Sequence, residues 1–228
     1  MKQLFTILIA ILLASPASAQ TTSIISDYVK SRQEAACSTA RRTQVSARLE
    51  AIRAIDQGGR VRGAAIPYTG ESDLLNRKEV ANLFAEGCFT TGRDYHNAAL
   101  VFQHGEVPEH YYQTFVWAHR AVQLGDAEAR WLIPRAIDRW ALNSGYKQLF
   151  ATNLVTESYY SQVTDASQKT WCLWPNASGV TDRQRVAVGV ATLTHQIARA
   201  KAMNNGFGTG LCIIQVPDPP RGIFPGYW

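Results

Sequence analysis

Long apolar runs are almost missing from this sequence. The longest, residues 4–13, spans roughly ten positions and falls short of the ~20 that a bilayer-spanning helix needs. Lys2 precedes it and Ala17-Ser-Ala19 follows, the pattern of a secretory signal with a small-residue cleavage site before Gln20. Residues 1–19 are therefore expected to be a signal peptide, with a retained anchor as the competing reading. No other stretch approaches membrane length. The expectation is an exported protein, periplasmic or secreted, with no transmembrane segment after cleavage.

Runs of like charge are missing too. The formal charge is +5, from 23 Lys+Arg against 18 Asp+Glu, yet the basic residues are scattered (Arg41-Arg42, Arg60, Arg62, Arg130, Arg135, Arg139, Arg183, Arg185). Without a basic stripe interleaved with aromatics, nucleic acid is not the expected partner. There is no nucleophile elbow or catalytic serine motif, and no cysteine pair has the short spacing of a zinc site, so neither metal nor cofactor is expected. The loop Gly206-Phe-Gly-Thr-Gly210 lacks a following Lys-Ser/Thr and succeeds a helix, so it is not a phosphate loop.

What is present is an ordinary globular composition, 46% apolar and 18% charged. Residues 20–215 read as a single mainly helical domain. Residues 216–228 form a tail too rich in proline for regular structure, which either docks on a partner or packs on the core. Cys37, Cys88, Cys172 and Cys212 all fall after the signal. In an oxidising compartment an even number predicts two disulfides, and Cys37–Cys88 with Cys172–Cys212 is the simplest of the three pairings. Each would close a loop worth about 3–4 kcal/mol in the chain-entropy account. Buried free thiols are the alternative.

Apolar residues at steps of three and four mark the helices. Val45, Leu49, Ile52 and Ile55 give one over residues 38–55, ended by Asp56-Gln57-Gly58-Gly59. A short second helix is expected over residues 74–84. Residues 94–104, capped by Asp94, are apolar enough at their centre to be buried on most sides. Pro108 opens a helix with Tyr111, Phe115, Ala118 and Val122 on one face. Gly125-Asp126 then stops it and starts its antiparallel partner, which carries Ala129, Leu132, Ile133, Ala136, Ile137 and Trp140 and should kink at Pro134. After Gly145 the composition favours extended chain over residues 149–163, with a second strand or aromatic loop at residues 171–175. Thr181-Asp182 starts a last helix whose inner face is Val186, Val190, Leu193 and Ile197. The fold class expected is mainly α: an antiparallel helix-hairpin domain, superhelical or bundled, with a short β segment after Gly145.

Polar residues recur among these helices in a fixed order. They are Asp56-Gln57-x-x-Arg60, Asn76, Gly87, Gln103-His104-Gly105, Asp138-Arg139, Gly145-x-x-Gln148 and Phe150-x-Thr152. The series resembles a bacterial family of unknown function, often exported, whose members carry Asp-Gln-x-x-Arg, Gln-His, Asp-Arg and Gly-x-x-Gln-x-Tyr-Gly-Thr-Gln. Thr181-Asp182-x-x-Arg185 with Val188-Gly189-Val190 and Leu193 is similar to that family's last helix, so the resemblance spans roughly residues 49–197. It implies a set of residues and no reaction. Ala151-Thr152-Asn153 stands where the family has Gly-Thr-Gln, which implies a backbone without positive φ at Ala151. The helix pair around Leu124-Gly125-Asp126 also resembles tetratricopeptide-related repeats, although one unit is visible where stacking needs about three.

Asp138 and Arg139 lie between Ile137 and Trp140, so at least one charge faces the core, where it is costly unless paired. One reading is a structural bolt, an Asp138–Arg139 pair fastening the helix hairpin to residues 145–153 with Gln148 satisfying backbone groups. The other is a polar pocket of Asp56, Gln57, Arg60, Gln103, His104, Asp138, Arg139, Gln148 and Thr152. There, Arg60 and Arg139 would take a carboxylate or phosphate in bidentate fashion. His104 would act as general base with Asp138 orienting it. The competing role for His104 is a helix-end histidine bonding a carbonyl. His96, His119 and His110 have nothing at metal-ligand spacing beside them. Two functions follow: a non-catalytic exported module that binds a partner protein or cell-envelope ligand, or a hydrolase centred on His104 and Asp138.

Overall fold

A computed structural model describes residues 37–61, 63–65, 67–156 and 170–227. The expected signal peptide, Arg62, the part of the extended segment beyond residue 156 and the last residue of the tail lie outside the described residues.

Helix α1 (Thr39–Gly58) is capped by the Ser38 hydroxyl, which accepts from the amide of Arg41. Val45, Leu49 and Ile52 are buried as their spacing predicts. Ile55 is not on that face: it is 59% exposed, and the buried position one turn beyond Ile52 belongs to Asp56. The i+4 step from Ile52 explains this, and it places a carboxylate inside the protein at the helix end.

Helix α2 (Gly70–Ala85) starts earlier than expected because Thr69 and Ser72 form a reciprocal capping box. Helix α3 (Gly92–Phe102) is buried on nearly every side. Its cap is Thr91 rather than Asp94, whose carboxylate instead reaches back to the amides of Thr90 and Thr91. Pro108 opens α4 (Pro108–Gln123). After Gly125, at φ +95°, the chain turns through a 3-10 helix (Ala127–Trp131) into α5 (Leu132–Asn143). Pro134 therefore sits in the first turn of α5, where its missing N–H leaves no interior bond broken, and the expected kink is replaced by the change of helix type. Helix α3 packs against α1, α2 and α4, and α4 against α5, so α3 and α4 form the centre of the domain.

Beyond Gly145 the chain is irregular to residue 153 and only residues 154–156 of the expected extended segment form a strand among those described. This strand, β1 (Leu154–Thr156), pairs antiparallel with β2 (Trp171–Leu173) in the register Leu154↔Leu173, Val155↔Cys172 and Thr156↔Trp171. The single last helix is corrected to two, α6 (Asp182–Ala187) and α7 (Leu193–Met203), separated at Gly189 with φ +77°. Asp182 spans the break, accepting a 2.7 Å bond from the Leu193 amide. The tail is irregular as expected, and Phe224 anchors it in the core at 1% exposure, with its ring against Phe115, Trp140 and Tyr112.

The disulfides are Cys37–Cys88 and Cys172–Cys212, the pairing that the simplest reading gives. The first ties the start of α1 to the turn before α3, and the second ties β2 to the segment after α7. Among the described residues no helix is long and apolar enough to cross a membrane.

Candidate functional site

The polar residues singled out in the sequence divide into two clusters. The first lies where α1 ends. Gln103 is the C-cap of α3, so His104 leaves that helix and turns its ring onto the last turn of α1. There His104 Nδ1 lies 2.9 Å from Oδ2 and 3.2 Å from Oδ1 of Asp56. The carboxylate is further held by Gln57 Nε2 at 2.6 Å and by Arg60 Nη2 at 3.0 Å. The same Arg60 nitrogen reaches Asp73 at 2.6 Å, and its guanidinium lies over the Tyr68 ring. Behind the histidine, Arg77 Nη1 donates to the His104 carbonyl at 2.7 Å.

Burial works against the Asp56 carboxylate, but the hydrogen bonds and charges of His104 and Arg60 outweigh it and hold the group below the usual carboxylate range. An ionised carboxylate only accepts, so Nδ1 of His104 carries the proton it shares with Asp56. In the neutral ring Nε2 then keeps a lone pair. The side chain of Asp56 is wholly buried, whereas that of His104 keeps 17% exposure. A carboxylate that fixes a histidine tautomer, with the other ring nitrogen within reach of solvent, is the unit that general-base catalysis uses. Two guanidinium groups adjoin it, half-buried Arg60 and buried Arg77, whose buried Nε atoms have no hydrogen-bond partner among the described residues. Arg77 Nη2 forms an ion pair with the exposed Glu106 at 3.6 Å.

The second cluster is built on Asp138, which has no exposure at all. Its Oδ1 accepts from the amides of Leu149 and Phe150, at 2.7 and 2.8 Å. Its Oδ2 accepts from the amide and the hydroxyl of Thr152, both at 2.8 Å. Burial pushes the Asp138 carboxyl above the usual range, and these four donors oppose that push. To aim successive amides at one point the backbone must curl, and Ala151 does so at φ +66°. The positive φ that the missing glycine argued against is thus kept, on an alanine. Gln148 completes the cluster: Nε2 donates to the Trp174 and Asn153 carbonyls and Oε1 accepts from the Asn153 amide.

This second cluster is a bolt, made differently from the one expected. Asp138 fastens α5 to residues 149–152 without Arg139, whose Nη1 bonds instead to the Gln103 carbonyl. Nor does Asp138 orient His104, since its carboxylate is taken up by the loop. Both expected partnerships of Asp138 are corrected, for one physical reason: a fully buried carboxylate needs several donors, and amides next to it supply them.

Sequence reasoning missed a third group. His96 Nδ1 lies 3.1 Å from Asp126 Oδ2, and with Glu128 the three offer ligand atoms within 4.8 Å of one another, a set that could hold a metal ion. Glu128 also meets Arg93 at 3.3 Å, a competing cation. His96 and Asp126 are 30 residues apart, joined only because α3 and α4 pack side by side, so no spacing rule finds them. The expectation of no ligand set beside His96 is corrected on this point. A groove of about 670 Å³ along the outer side of α4 was equally hidden; Phe84, Tyr112, Val116, Trp117, His119 and Arg120 are among its walls. Tyr112 and Val116 flank the face whose periodicity marks the helix, and Phe115 of that face also lines the groove.

No family model, no curated protein and no solved structure matches this chain.

Proposed function

We propose that the protein is a hydrolase in which His104 acts as general base and Asp56 orients it. The observation that carries this reading is the 2.9 Å contact of His104 Nδ1 with a buried, ionised Asp56, which leaves Nε2 as the basic atom on a partly exposed ring. Such a base draws a proton from water as the water attacks, contributing typically 10²–10⁴-fold to the rate. The guanidinium of Arg60, bonded to the same carboxylate and 18% exposed, suits a substrate that develops negative charge. The presence of the His96, Asp126 and Glu128 group adds a second ionisable site of the kind hydrolytic enzymes use. The protein is proposed to do this work after export, which the four paired cysteines favour.

The test is hydrolysis of chromogenic acetate, phosphate and glycoside esters by wild type, His104→Gln and Asp56→Asn. Turnover of one class that falls at least ~100-fold in both variants, with the fold intact by circular dichroism, is the expected result. Turnover equal in all three, or none across the panel, overturns the proposal.

One observation favours a non-catalytic binding role instead. The groove along α4 carries three large exposed apolar side chains, Phe84, Tyr112 and Val116, each 40–41% exposed. Its described polar walls include Arg120 and His119, and none of its described lining residues is a carboxylate. That lining suits an envelope ligand or peptide with an aromatic body and an acidic group.

A further inference from the structure

His96, Asp126 and Glu128 come together where the start of α3 meets the corner that leads from α4 into the 3-10 helix. His96 lies on the second turn of α3, and the two acids belong to the corner. The backbones touch there. A Cβ on Gly92 would stand 2.8 Å from Cβ of Asp126 and 2.9 Å from the Ala121 carbonyl oxygen, a contact that no side chain tolerates, so glycine lets the two elements approach. The position of His96 relative to Asp126 is therefore set by main-chain packing.

Two of the three side chains are held in advance. The Asp126 amide bonds to the Ala121 carbonyl at 3.0 Å, and Oδ1 accepts from the Glu128 amide at 3.1 Å. This turns Oδ2 toward His96 Nδ1, 3.1 Å away. The side chains of His96 and Asp126 are 6% and 12% exposed, whereas Glu128, at 78%, opens the group to solvent and gives an ion its way in. Ordering the histidine and Asp126 beforehand lowers the cost of binding.

We propose that His96, Asp126 and Glu128 form a zinc-binding site. Zinc bonds of about 2.0–2.2 Å at tetrahedral angles put neighbouring ligand atoms about 3.3–3.6 Å apart. The fixed pair at 3.1 Å is close to that spacing, and Glu128, within 4.8 Å, reaches it by a turn of its exposed side chain. The imidazole nitrogen favours zinc over Ca²⁺ or Mg²⁺, which take oxygen ligands. Zinc replaces the proton that Nδ1 and Oδ2 share, and that proton leaves to solvent. Water fills the fourth corner on the Glu128 side. Arg93 competes for Glu128 at 3.3 Å, yet its Nε also meets Glu50 at 3.5 Å, so it keeps a carboxylate when Glu128 turns to the ion. His104 stands roughly 12 Å further along the α3 axis, so its role as base does not require this site.

Isothermal titration of the chelator-treated protein with Zn²⁺, and separately with Ca²⁺, tests the site without any assay of turnover. Glu128 is exposed, so Glu128→Gln should fold normally and keeps the test decisive even where the buried His96→Gln does not fold. Glu71→Gln, on the exposed first turn of α2, controls for loss of a negative charge elsewhere. The expected result is saturable zinc binding, weakened roughly tenfold or more by Glu128→Gln and by His96→Gln and unchanged by Glu71→Gln. Long-range proton–nitrogen NMR of the zinc-loaded protein should then place the remaining ring proton of His96 on Nε2. No saturable zinc binding, binding that Glu128→Gln leaves untouched or weakens only as much as Glu71→Gln does, or Ca²⁺ bound as tightly as Zn²⁺ would overturn the proposal.

Discussion

His104 Nδ1 lies 2.9 Å from Oδ2 of Asp56, a residue 48 positions earlier in the chain. The contact joins the end of α3 to the end of α1 and fixes which ring nitrogen of His104 carries a proton. Arg60 and Gln57, from the same turn as Asp56, complete the shell of donors around the carboxylate.

Asp56→Asn should lower stability by about 1–3 kcal/mol at neutral pH, because a buried acceptor of three donor groups is lost. The pH dependence follows from the sign of the shift. Asp56 is held below its ordinary value, so its contribution is present above the unfolded carboxylate pKa of about 3.9 and is lost as pH falls through the lower folded value. Urea midpoints measured from pH 7 into acid should therefore show the wild-type advantage over Asp56→Asn shrinking below about pH 4. A gap that stays constant would contradict this.

Asp138→Asn should cost more, about 3–5 kcal/mol. Asparagine keeps one acceptor oxygen and turns an NH2 group toward amides or a hydroxyl that already donate. Chemical denaturation measures the loss. A change under 1 kcal/mol would show that the four short bonds to residues 149–152 hold little of the fold together.

At Ala151 two substitutions separate backbone strain from packing. Glycine relieves about 1–2 kcal/mol of left-handed strain but removes a buried methyl worth about 0.8 kcal/mol and adds unfolded-state entropy, so Ala151→Gly should stay within about 1 kcal/mol of wild type. Ala151→Val puts a β-branched residue at φ +66° in a site with no exposure, and should destabilise by more than 2 kcal/mol or so. Thermal melts that rank the two the other way would remove the strained-nest account of this loop.

The helices were legible in the sequence wherever periodicity and caps agreed. Leu49 and Ile52 on α1, Pro108 on α4 and the hairpin corner at Gly125 are the clear cases. Less legible were the places where a local choice overrode the period. Gly189 ends α6 after a run that reads as continuous helix, and Asp56 takes the inward position that an apolar pattern assigns to Ile55. The residues of the two polar clusters are nearly all legible in the sequence, but their partners are not. Sequence alone pairs His104 with Asp138, and one-dimensional spacing cannot say which helix ends meet in space. The His96–Asp126 contact was invisible for the same reason, and Ala151 misled because four short bonds to Asp138 override its backbone preference.

Removing the Cys37–Cys88 bridge with a double serine variant should lower stability by about 2–4 kcal/mol, since it closes a loop 51 residues long. Removal of Cys172–Cys212, separated by 40 residues, should cost about as much and also release the segment after α7 from β2. Hydrogen exchange would resolve the two: the second variant should lose protection at the Cys212 amide, which bonds to the Leu173 carbonyl. An unchanged urea midpoint in either variant would contradict the loop-closure argument.

Asp56 holds the neutral ring of His104 with its proton on Nδ1 and a bare Nε2. Long-range proton–nitrogen correlation NMR at pH 8 reads that tautomer directly. Wild type should show an Nδ1–H signature for His104, and Asp56→Asn a shift toward the Nε2–H tautomer. An Nε2–H signature in the wild type, or a tautomer balance untouched by Asp56→Asn, would contradict it.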